Sequence, residues 1–297
     1  MEFWQSTAFN DPLELPIIAR EAEAAGFDGL LVSEHLMVPA NFEASYLYSE
    51  DGKPPFTAET PFPDPWVALA TMAAATSRIR FCTLVHILPL HHPVEVAKAL
   101  ATLALYSDNR VVLGAGAGWM KEEFEILGVD FKTRGPRFNE MIEVMRKLWQ
   151  GGMVEHHGEF FDFPPICQSP APTENIPIVI GGASKAALRR AATVGDGWCG
   201  AGNTPEEAEE ILRTLAALRK EAGRENEHFE AIVPLTTPPE PDVLKKLSGL
   251  GATGTVSYPF SYTVGPDATL EQKIDAMKQF AEHVIAPNKD AASGAIR

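Results

Sequence analysis

Cysteine and positive charge are both scarce in this chain. Its three cysteines, Cys82, Cys167 and Cys199, are odd in number and share no CxxC spacing, which argues against a disulfide framework and a structural zinc site. The chain carries 25 Lys and Arg against 40 Asp and Glu, a formal net charge of -15. Such an acidic balance repels nucleic acid and anionic membranes. We therefore expect neither as a partner.

Long apolar runs and low-complexity segments are missing as well. No stretch reaches the roughly 20 apolar residues that a membrane-spanning helix needs, and the first residues do not have the pattern of a signal peptide. These absences predict a cytoplasmic protein. No linker-like break divides the chain, and α/β barrels routinely use this much sequence for one core. We expect residues 1–297 to form a single domain.

Residues 77–119 predict a strand, a helix and a second strand. Two apolar runs rich in β-branched residues, 79–88 and 111–115, flank a segment whose apolar residues recur at helical spacing. Strands of nearly unbroken apolar character joined by a helix are typical of a parallel sheet covered on both faces. Ligands of such sheets bind at the carboxyl ends of the strands. Those ends carry Thr83, Val85 and His86 on one strand, and Gly114, Gly116, Gly118 and Trp119 on the next.

Units of strand and helix recur along the whole chain. The first strand covers residues 2–6, the second covers 27–32 and ends in Ser33, Glu34 and His35, and later strands begin near residues 176, 197, 229 and 253. Helix starts are marked by Asp64-Pro65 and by Thr204-Pro205, where Glu207 completes a capping-box pattern. Eight alternations favour a single α/β (β/α)8 TIM barrel over an open doubly wound sheet.

Three insertions interrupt this alternation, after strand 2, after strand 4 and before strand 5. Residues 36–63 are rich in proline and hold five aromatic residues, which favours a substrate-covering loop over a disordered insertion. Residues 120–135 are predicted to be an irregular connection, and residues 153–172 a short hairpin with a proline-rich exit. The five aromatic residues of the first insertion are Phe42, Tyr46, Tyr48, Phe56 and Phe62.

Two glycine-rich turns are candidate ligand sites. Gly181-Gly182-Ala183-Ser184 lies between an apolar strand and a helix, where close backbone approach and free amides suit a phosphate; ordinary turn chemistry is the alternative. The run of residues 114–119, GAGAGW, resembles a dinucleotide fingerprint only loosely, because no suitable helix opens within it. The small residues of this run, followed by Trp119, instead favour a ligand with a flat ring that lies across the barrel mouth.

Four histidines, His35, His86, His91 and His92, follow two strand ends and raise the question of a metal. A metal-dependent barrel also needs ligands at its first and later strands. Strand 1 reads EFWQS, and the sixth strand offers Asp196 alone, so we expect no metal site. His35 is a candidate proton donor or acceptor; a structural histidine bonded to a loop is the alternative.

Five segments of the chain, in this order and spacing, resemble the bacterial luciferase-like monooxygenases and F420-dependent oxidoreductases. The matching segments are AGFDGLLVSEHL at 25–36, PDPWVALATMAAATSRIR at 63–80, LPLHHPVEVAKALATL at 88–103, residues 110–149, and PIVIGGASKAALRRAATVGDGW at 177–198.

The resemblance implies a flavin or deazaflavin ring at the strand ends, over a backbone bulge at strand 3 that often contains a non-prolyl cis peptide. It implies a phosphate site at Gly181, Gly182 and Ala183, and a homodimer formed by early helices. Arg134, Arg137 and Glu140 match family positions and are expected to brace a loop; contact with the cofactor tail is the alternative. The ring is expected near Ser33, His35, Thr83, Val85, His86, Ala115, Gly116 and Gly118.

The chain also departs from the family pattern. Glu34 stands where an aspartate is common, His86 where an aliphatic residue is usual, and His91 where an arginine is common. Because these residues lie at the strand ends where ligands bind, the departures leave the predicted fold unchanged but leave the substrate open.

The resulting functional hypothesis is an oxidoreductase for a small organic substrate, with His35, His86 and Glu34 as candidate catalytic residues. Reduced FMN as cofactor would make it a monooxygenase, and coenzyme F420 would make it a reductase or dehydrogenase. A separate flavin or F420 reductase is a possible partner. The alternatives are a flavin-binding barrel without catalysis and a metal hydrolase.

Overall fold

Eight parallel strands close into a barrel in the computed structural model, which describes residues 1–47, 49 and 51–289. Around the barrel the strands follow the order β1, β2, β3, β5, β8, β9, β10 and β11, and β11 pairs with β1 to close it. Within these residues there are eleven strands: β1 (Glu2–Ser6), β2 (Gly29–Val32), β3 (Arg80–Thr83), β4 (His86–Ile87), β5 (Val111–Gly116), β6 (Met153–His157), β7 (Asp162–Cys167), β8 (Ile178–Gly181), β9 (Gly197–Cys199), β10 (Glu230–Val233) and β11 (Gly254–Ser257). The predicted (β/α)8 barrel is confirmed.

Helices surround the barrel and cover its outer face. They are α1 (Leu15–Ala25), α2 (Pro65–Ala74), α3 (Pro93–Ser107), α4 (Lys121–Ile126), α5 (Arg134–Trp149), α6 (Lys185–Thr193), α7 (Pro205–Glu221), α8 (Pro241–Gly249), α9 (Phe260–Thr263) and α10 (Leu270–Phe280), and α10 continues into a π-helical turn, Ala281–Ile285. Among the described residues, no helix has the length and apolar character to cross a membrane.

The strands are apolar on both faces because each face is buried. In β5, Val112 belongs to the core inside the barrel, whereas Val111, Leu113 and Ala115 belong to the core under the helices. This alternation follows from the two-residue repeat of a strand. It sends odd-numbered side chains of β5 outward and leaves Gly114 and Gly116 on the inner side.

Helix starts follow the predicted capping chemistry. The Asp64 carboxylate accepts from the Val67 amide at the start of α2. Thr204 and Glu207 form a complete capping box at the start of α7. These side chains satisfy backbone amides that a helix leaves unpaired, which is why the sequence alone located these boundaries.

Two predicted segments differ from the structure. The connection after strand 4 was expected to be irregular, but it contains α4, which buries Glu123 and Phe124. The apolar run 79–88 was expected to be one strand, but it is divided into β3 and β4 by Leu84 and Val85. Tertiary contacts cause both differences: α4 packs on the barrel mouth, and the break forms the bulge at strand 3. The aromatic residue Tyr48 lies outside the described residues.

The predicted hairpin is present as β6 and β7, and α5 ties it to the barrel. Glu140 accepts hydrogen bonds from the Phe160 and Phe161 amides at the hairpin turn. Arg137 donates to the Pro89 and His91 carbonyls, just after the strand-3 bulge. Both residues brace loops, as their positions predicted.

Candidate active site

The floor of the barrel mouth is built around Val85. A cis peptide joins Leu84 to Val85, as the resemblance implied, and both side chains are half-buried. A Cβ added to Gly116 would lie 2.3 Å from the Val85 Cγ2 methyl group, and a Cβ added to Gly181 would lie 2.4 Å from the Cγ1 methyl group. The two glycines therefore leave just enough room for Val85, which forms a flat apolar surface at the strand ends.

His35 is held at the mouth by a buried carboxylate. Its Nδ1 lies 3.0 Å from Glu123 Oε2, and the Leu36 amide donates to Glu123 Oε1 over 3.1 Å. The Glu123 residue is 0% exposed. A carboxylate that accepts from the Nδ1–H fixes the imidazole tautomer and leaves Nε2 available.

Aromatic side chains enclose the imidazole. The rings of Phe56, Phe62 and Trp119 have their centroids 4.8, 5.0 and 6.0 Å from that of His35. Phe56 and Phe62 belong to residues 36–63, the segment predicted to cover the substrate, and both rings pack against His35. The side chain of His35 is only 8% exposed, which places it in a water-poor pocket.

Helix α4 also anchors the covering segment. Glu122, next to Glu123 in sequence, accepts from the Glu43 amide over 2.7 Å. Trp119, just before the helix, contacts the ring of Tyr46 at 5.2 Å and that of Phe42 at 6.1 Å between centroids. Residues 119–123 therefore contact both the imidazole and the segment above it.

Glu34 binds residues that follow the strand-3 bulge, and this set of contacts is called the Glu34 clamp. Its Oε2 accepts from the Ile87 amide over 2.6 Å, and its Oε1 lies 3.0 Å from His91 Nε2. The same Oε2 is 2.8 Å from His86 Nδ1, although neither ring nitrogen of His86 makes an aligned hydrogen bond within the protein. The His86 ring stacks on His91 and packs against Trp66 of α2. Glu34 thus fixes β4, and with it the bulge, to the end of β2.

The clamp has a definite charge state. Burial by itself would raise the pKa of the Glu34 carboxyl, but the adjacent His86 and His91 outweigh burial and hold that pKa below its ordinary range. Burial lowers the pKa of the His86 imidazole in spite of the nearby carboxylate. At neutral pH we therefore assign an ionised Glu34 and a neutral His86.

A measurable pH dependence of stability follows from the buried His86. Its lowered pKa keeps it neutral when folded, whereas the unfolded chain binds this proton below about pH 6.5. The free energy of unfolding should then fall as the pH drops from 6.5 toward 5, by up to about 1.4 kcal/mol per pH unit for this one proton. In His86→Leu the slope of the free energy of unfolding against pH should be smaller by the contribution of this one proton. Urea unfolding at a series of pH values measures the slope. An unchanged slope in the variant would contradict the assignment.

Four of the sequence-predicted site residues do not face the mouth. Glu34 and His86 are buried against α2 and the bulge, which favours a positioning role over the predicted catalytic one. Their part in a reaction stays a prediction. Thr83 is 0% exposed, and its hydroxyl donates to the Gly114 carbonyl and accepts from the Gly114 amide. Ala115 points outward to the helix layer. The two-residue alternation of the strands explains these positions.

The other predicted residues lie at or near the mouth. Ser33, Gly116 and Val85 are at the strand ends, whereas Gly118, at φ 81°, lets Phe124 and Ile87 pack against the chain. The Gly182 amide donates to the Cys199 carbonyl. The amides available for an anion are thus those from exposed Ala183 onward, at the start of α6, where Ser184 is the cap.

Nitrogen and oxygen atoms of Glu34, His86 and His91 lie within 4.8 Å of one another, which is the spacing of a metal site. Both Glu34 oxygens already accept hydrogen bonds, and the two imidazole rings are stacked rather than convergent. This arrangement favours the clamp. That the protein needs no metal stays a prediction.

Sequence reasoning missed Glu123. It stands in the polar run MKEEFE at 120–125, which gives no sign that one of three acids is buried. Only the contact between α4 and the end of β2 distinguishes it.

Comparison with known proteins identifies relatives over nearly the whole chain. The family model for luciferase-like monooxygenase matches residues 4–240. An uncharacterized protein of Mycobacterium tuberculosis is 38% identical over 288 residues, which cover 96% of this chain and 99% of the relative. An F420-dependent glucose-6-phosphate dehydrogenase of Gordonia bronchialis is 26% identical, over 95% of this chain and 82% of the relative.

Solved structures share the fold at lower identity. The monooxygenase RslO1 from Streptomyces bottropensis superposes with a TM-score of 0.75 at 21% identity, over 96% of this chain and 99% of the other. The coenzyme F420 dependent tetrahydromethanopterin reductase from Methanopyrus kandleri gives a TM-score of 0.72 at 16% identity, over 96% and 98%. The family match and the sequence relatives agree with the resemblance read from the motifs. The chain belongs to the luciferase-like monooxygenase family.

Proposed function

We propose that this protein is an oxidoreductase that uses reduced FMN or coenzyme F420 and acts on a small organic substrate. The observation that carries the proposal is the pairing of His35 with Glu123 beside the apolar floor formed by Val85, Gly116 and Gly181. A fixed proton-transfer group next to a flat apolar surface at the strand ends suits a planar redox ring and its substrate.

The residues at the mouth fit such a ring. Glycines at 116 and 181 keep the floor flat, because any Cβ there would displace Val85 toward the ring. A phosphate on the same cofactor would reach the exposed amides that follow Gly182 at the start of α6, where the helix terminus favours an anion. The family membership and the names of the F420-dependent relatives support the same cofactor class.

When bound, reduced FMN would supply the electrons for insertion of one atom of O2 into the substrate, whereas F420 would give a hydride to the substrate or take one from it. His35 Nε2 would then give a proton to the substrate or accept one, while Glu123 holds the imidazole in position. Phe56 and Phe62 exclude water from this pocket. Since His35 is nearly covered, Phe56 and Phe62 would have to move to admit both the cofactor and the substrate.

Titration with FMN and with F420, followed by absorbance, tests the proposal. We expect one of the two spectra to shift with saturation. In Gly181→Ala the same cofactor should bind about tenfold or more weakly, because one added methyl in a packed site costs on the order of 1–3 kcal/mol and here displaces Val85.

Gly249→Ala is the matched control for this titration. Gly249 ends α8, and a Cβ there meets nothing within 4 Å, so cofactor binding should equal that of the unmodified protein. If neither cofactor binds, the proposal is refuted. If Gly181→Ala binds the cofactor as tightly as the unmodified protein does, Val85 does not contact the ring.

Two assembly predictions extend this proposal. Val67 of α2 and Leu105 and Tyr106 of α3 are exposed apolar side chains on early helices, which supports the predicted homodimer. A separate reductase would be needed to supply the reduced cofactor if the reaction consumes it.

A further inference from the structure

Two phenyl rings of the covering segment bridge the His35 imidazole and the ring of Phe9. Phe56 lies 6.3 Å from Phe9 and 4.8 Å from His35 between ring centroids. Phe62 lies 6.1 Å from Phe9 and 5.0 Å from His35. The two phenyl rings also contact each other, at 5.1 Å. Phe56 and Phe62 together are therefore called the aromatic plug.

Phe9 belongs to the barrel and not to the covering segment. It follows β1, and its φ of 64° lies in the left-handed region, where a bulky side chain is strained. Such strain persists only where the surroundings impose it, and it concentrates at ligand sites. Here the Thr7 amide and hydroxyl both donate to the Leu31 carbonyl over 2.9 Å, and the Asn10 side-chain amide donates to the Thr7 carbonyl over 3.0 Å. These bonds hold the backbone on either side of Phe9 to the end of β2.

A tyrosine outside the covering segment also packs on Phe9. Tyr262 of α9 lies edge-to-face to Phe9, with 6.4 Å between ring centroids, and Tyr258, just after β11, lies 6.5 Å from Tyr262. Phe9 thus keeps contacts with the barrel when the plug is displaced. Displacement would still uncover the part of the Phe9 ring on which the plug packs, and exposure of apolar surface to water is unfavourable. A ligand that covers this surface again is therefore favoured.

A substrate that reaches His35 has to take the place of the plug. The plug and Trp119 enclose the imidazole, whose side chain is 8% exposed. A flat apolar group of similar size would restore the ring contacts that Phe9 and His35 lose when the plug leaves. A charged group would be desolvated beside Phe9, which has no polar side-chain atom. An anion would also lie near the Glu123 carboxylate, which is 0% exposed.

We propose that Phe9 is the specificity-determining residue of the site and that the substrate is an uncharged molecule with an aromatic ring. This ring replaces the plug between Phe9 and His35, and the reacting atom next to the ring lies at His35 Nε2. The proposal rests on the proposed function, since it places the substrate at His35 beside a bound cofactor.

Ligand-observed NMR titrations of the cofactor-loaded protein test this with four probes of similar size: benzyl alcohol, cyclohexylmethanol, benzoate and benzylammonium. We expect benzyl alcohol to bind about threefold to tenfold more tightly than cyclohexylmethanol, the gain from one aromatic pair. Both ions should bind less tightly than either alcohol. In Phe9→Leu the preference for the aromatic alcohol should fall below about twofold, because leucine keeps an apolar side chain but has no ring. Phe9→Tyr retains the ring and should retain the preference.

Phe163→Leu is the matched control. Phe163 lies on β7 of the hairpin and packs on His156, so its replacement should leave the preference between the two alcohols unchanged. The preference is a ratio of two dissociation constants measured on the same protein, so a smaller folded fraction does not alter it. The four-probe comparison needs no variant and stands even if Phe9→Leu does not fold.

Phe56→Ala tests the displacement of the plug. Benzyl alcohol should bind to this variant at least about twofold more tightly than to the unmodified protein, because the chain's own ring no longer competes for the space beside His35. Weaker binding would show that the Phe56 ring is a wall of the site and that the substrate does not replace it.

Three results would overturn the proposal: equal binding of the two alcohols by the unmodified protein, tightest binding of either ion, or an unchanged preference in Phe9→Leu. The dissociation constant of the cofactor is measured first on every protein. If no cofactor binds, the proposed function fails. If the cofactor binds and the aromatic preference is absent, only the assignment of Phe9 and of an aromatic substrate fails.

Discussion

Replacing His35 by Asn is expected to lower the turnover number by about 10² to 10⁴, the range for loss of a general acid or base. The imidazole lies between Glu123 and the aromatic side chains of the mouth, and asparagine keeps a polar group there without the means to exchange a proton near neutral pH. The dissociation constant of the cofactor should stay within about threefold, because Val85 and the two glycines form the ring floor.

The control is His157→Asn. This histidine lies on the hairpin, is 65% exposed at its side chain and pairs with Asp162, so its replacement should leave turnover unchanged. Glu123→Gln keeps the shape of the positioning side chain but removes its charge, and we expect a loss smaller than that of His35→Asn. If turnover in His35→Asn equals that of the unmodified protein, His35 has no catalytic part. Absence of turnover in the unmodified protein, with the cofactor bound, would favour the flavin-binding barrel without catalysis.

Gly114→Ala is expected to destabilise the barrel by more than about 3 kcal/mol, which is large for a single methyl. The added Cβ would lie 1.7 Å from the Thr83 carbonyl oxygen and 2.9 Å from Cys82 Sγ. The first of these atoms is backbone, so relief requires β3 and β5 to separate. That separation would also break both hydrogen bonds between the Thr83 hydroxyl and Gly114.

Thermal unfolding measures this effect. A loss of that size should lower the melting temperature by at least about 6 °C in a chain of this length. Gly249→Ala again provides the comparison, because its Cβ meets open space at the end of α8 and alanine favours helix. Equal melting temperatures for the two variants would show that β3 and β5 can separate enough to admit the added methyl group without a loss of stability.

Much of the fold could be predicted because its signals are local. Apolar strands, helix caps such as Asp64 and Thr204, and the turn at Gly26 each depend on residues within a few positions. Helix α4 could not be predicted, because it is short and charged and because Glu122 and Glu123 bind segments that are distant in the sequence.

The candidate site could be predicted less fully for a geometric reason. Side chains alternate along a strand, so the residue next to a mouth-facing one points away. Val85 and His86 are neighbours in sequence, yet Val85 lines the mouth and His86 packs under α2.

The two adjacent acids of α4 have a consequence for how the site responds to its surroundings. Glu122 holds the backbone of the covering segment, and Glu123 holds the imidazole. A shift of this six-residue helix would change both contacts together, so the position of the covering segment and that of the His35 imidazole depend on each other. Under the proposed function, displacement of the covering segment would go with a displaced imidazole, and only the closed arrangement would hold His35 in position for proton transfer.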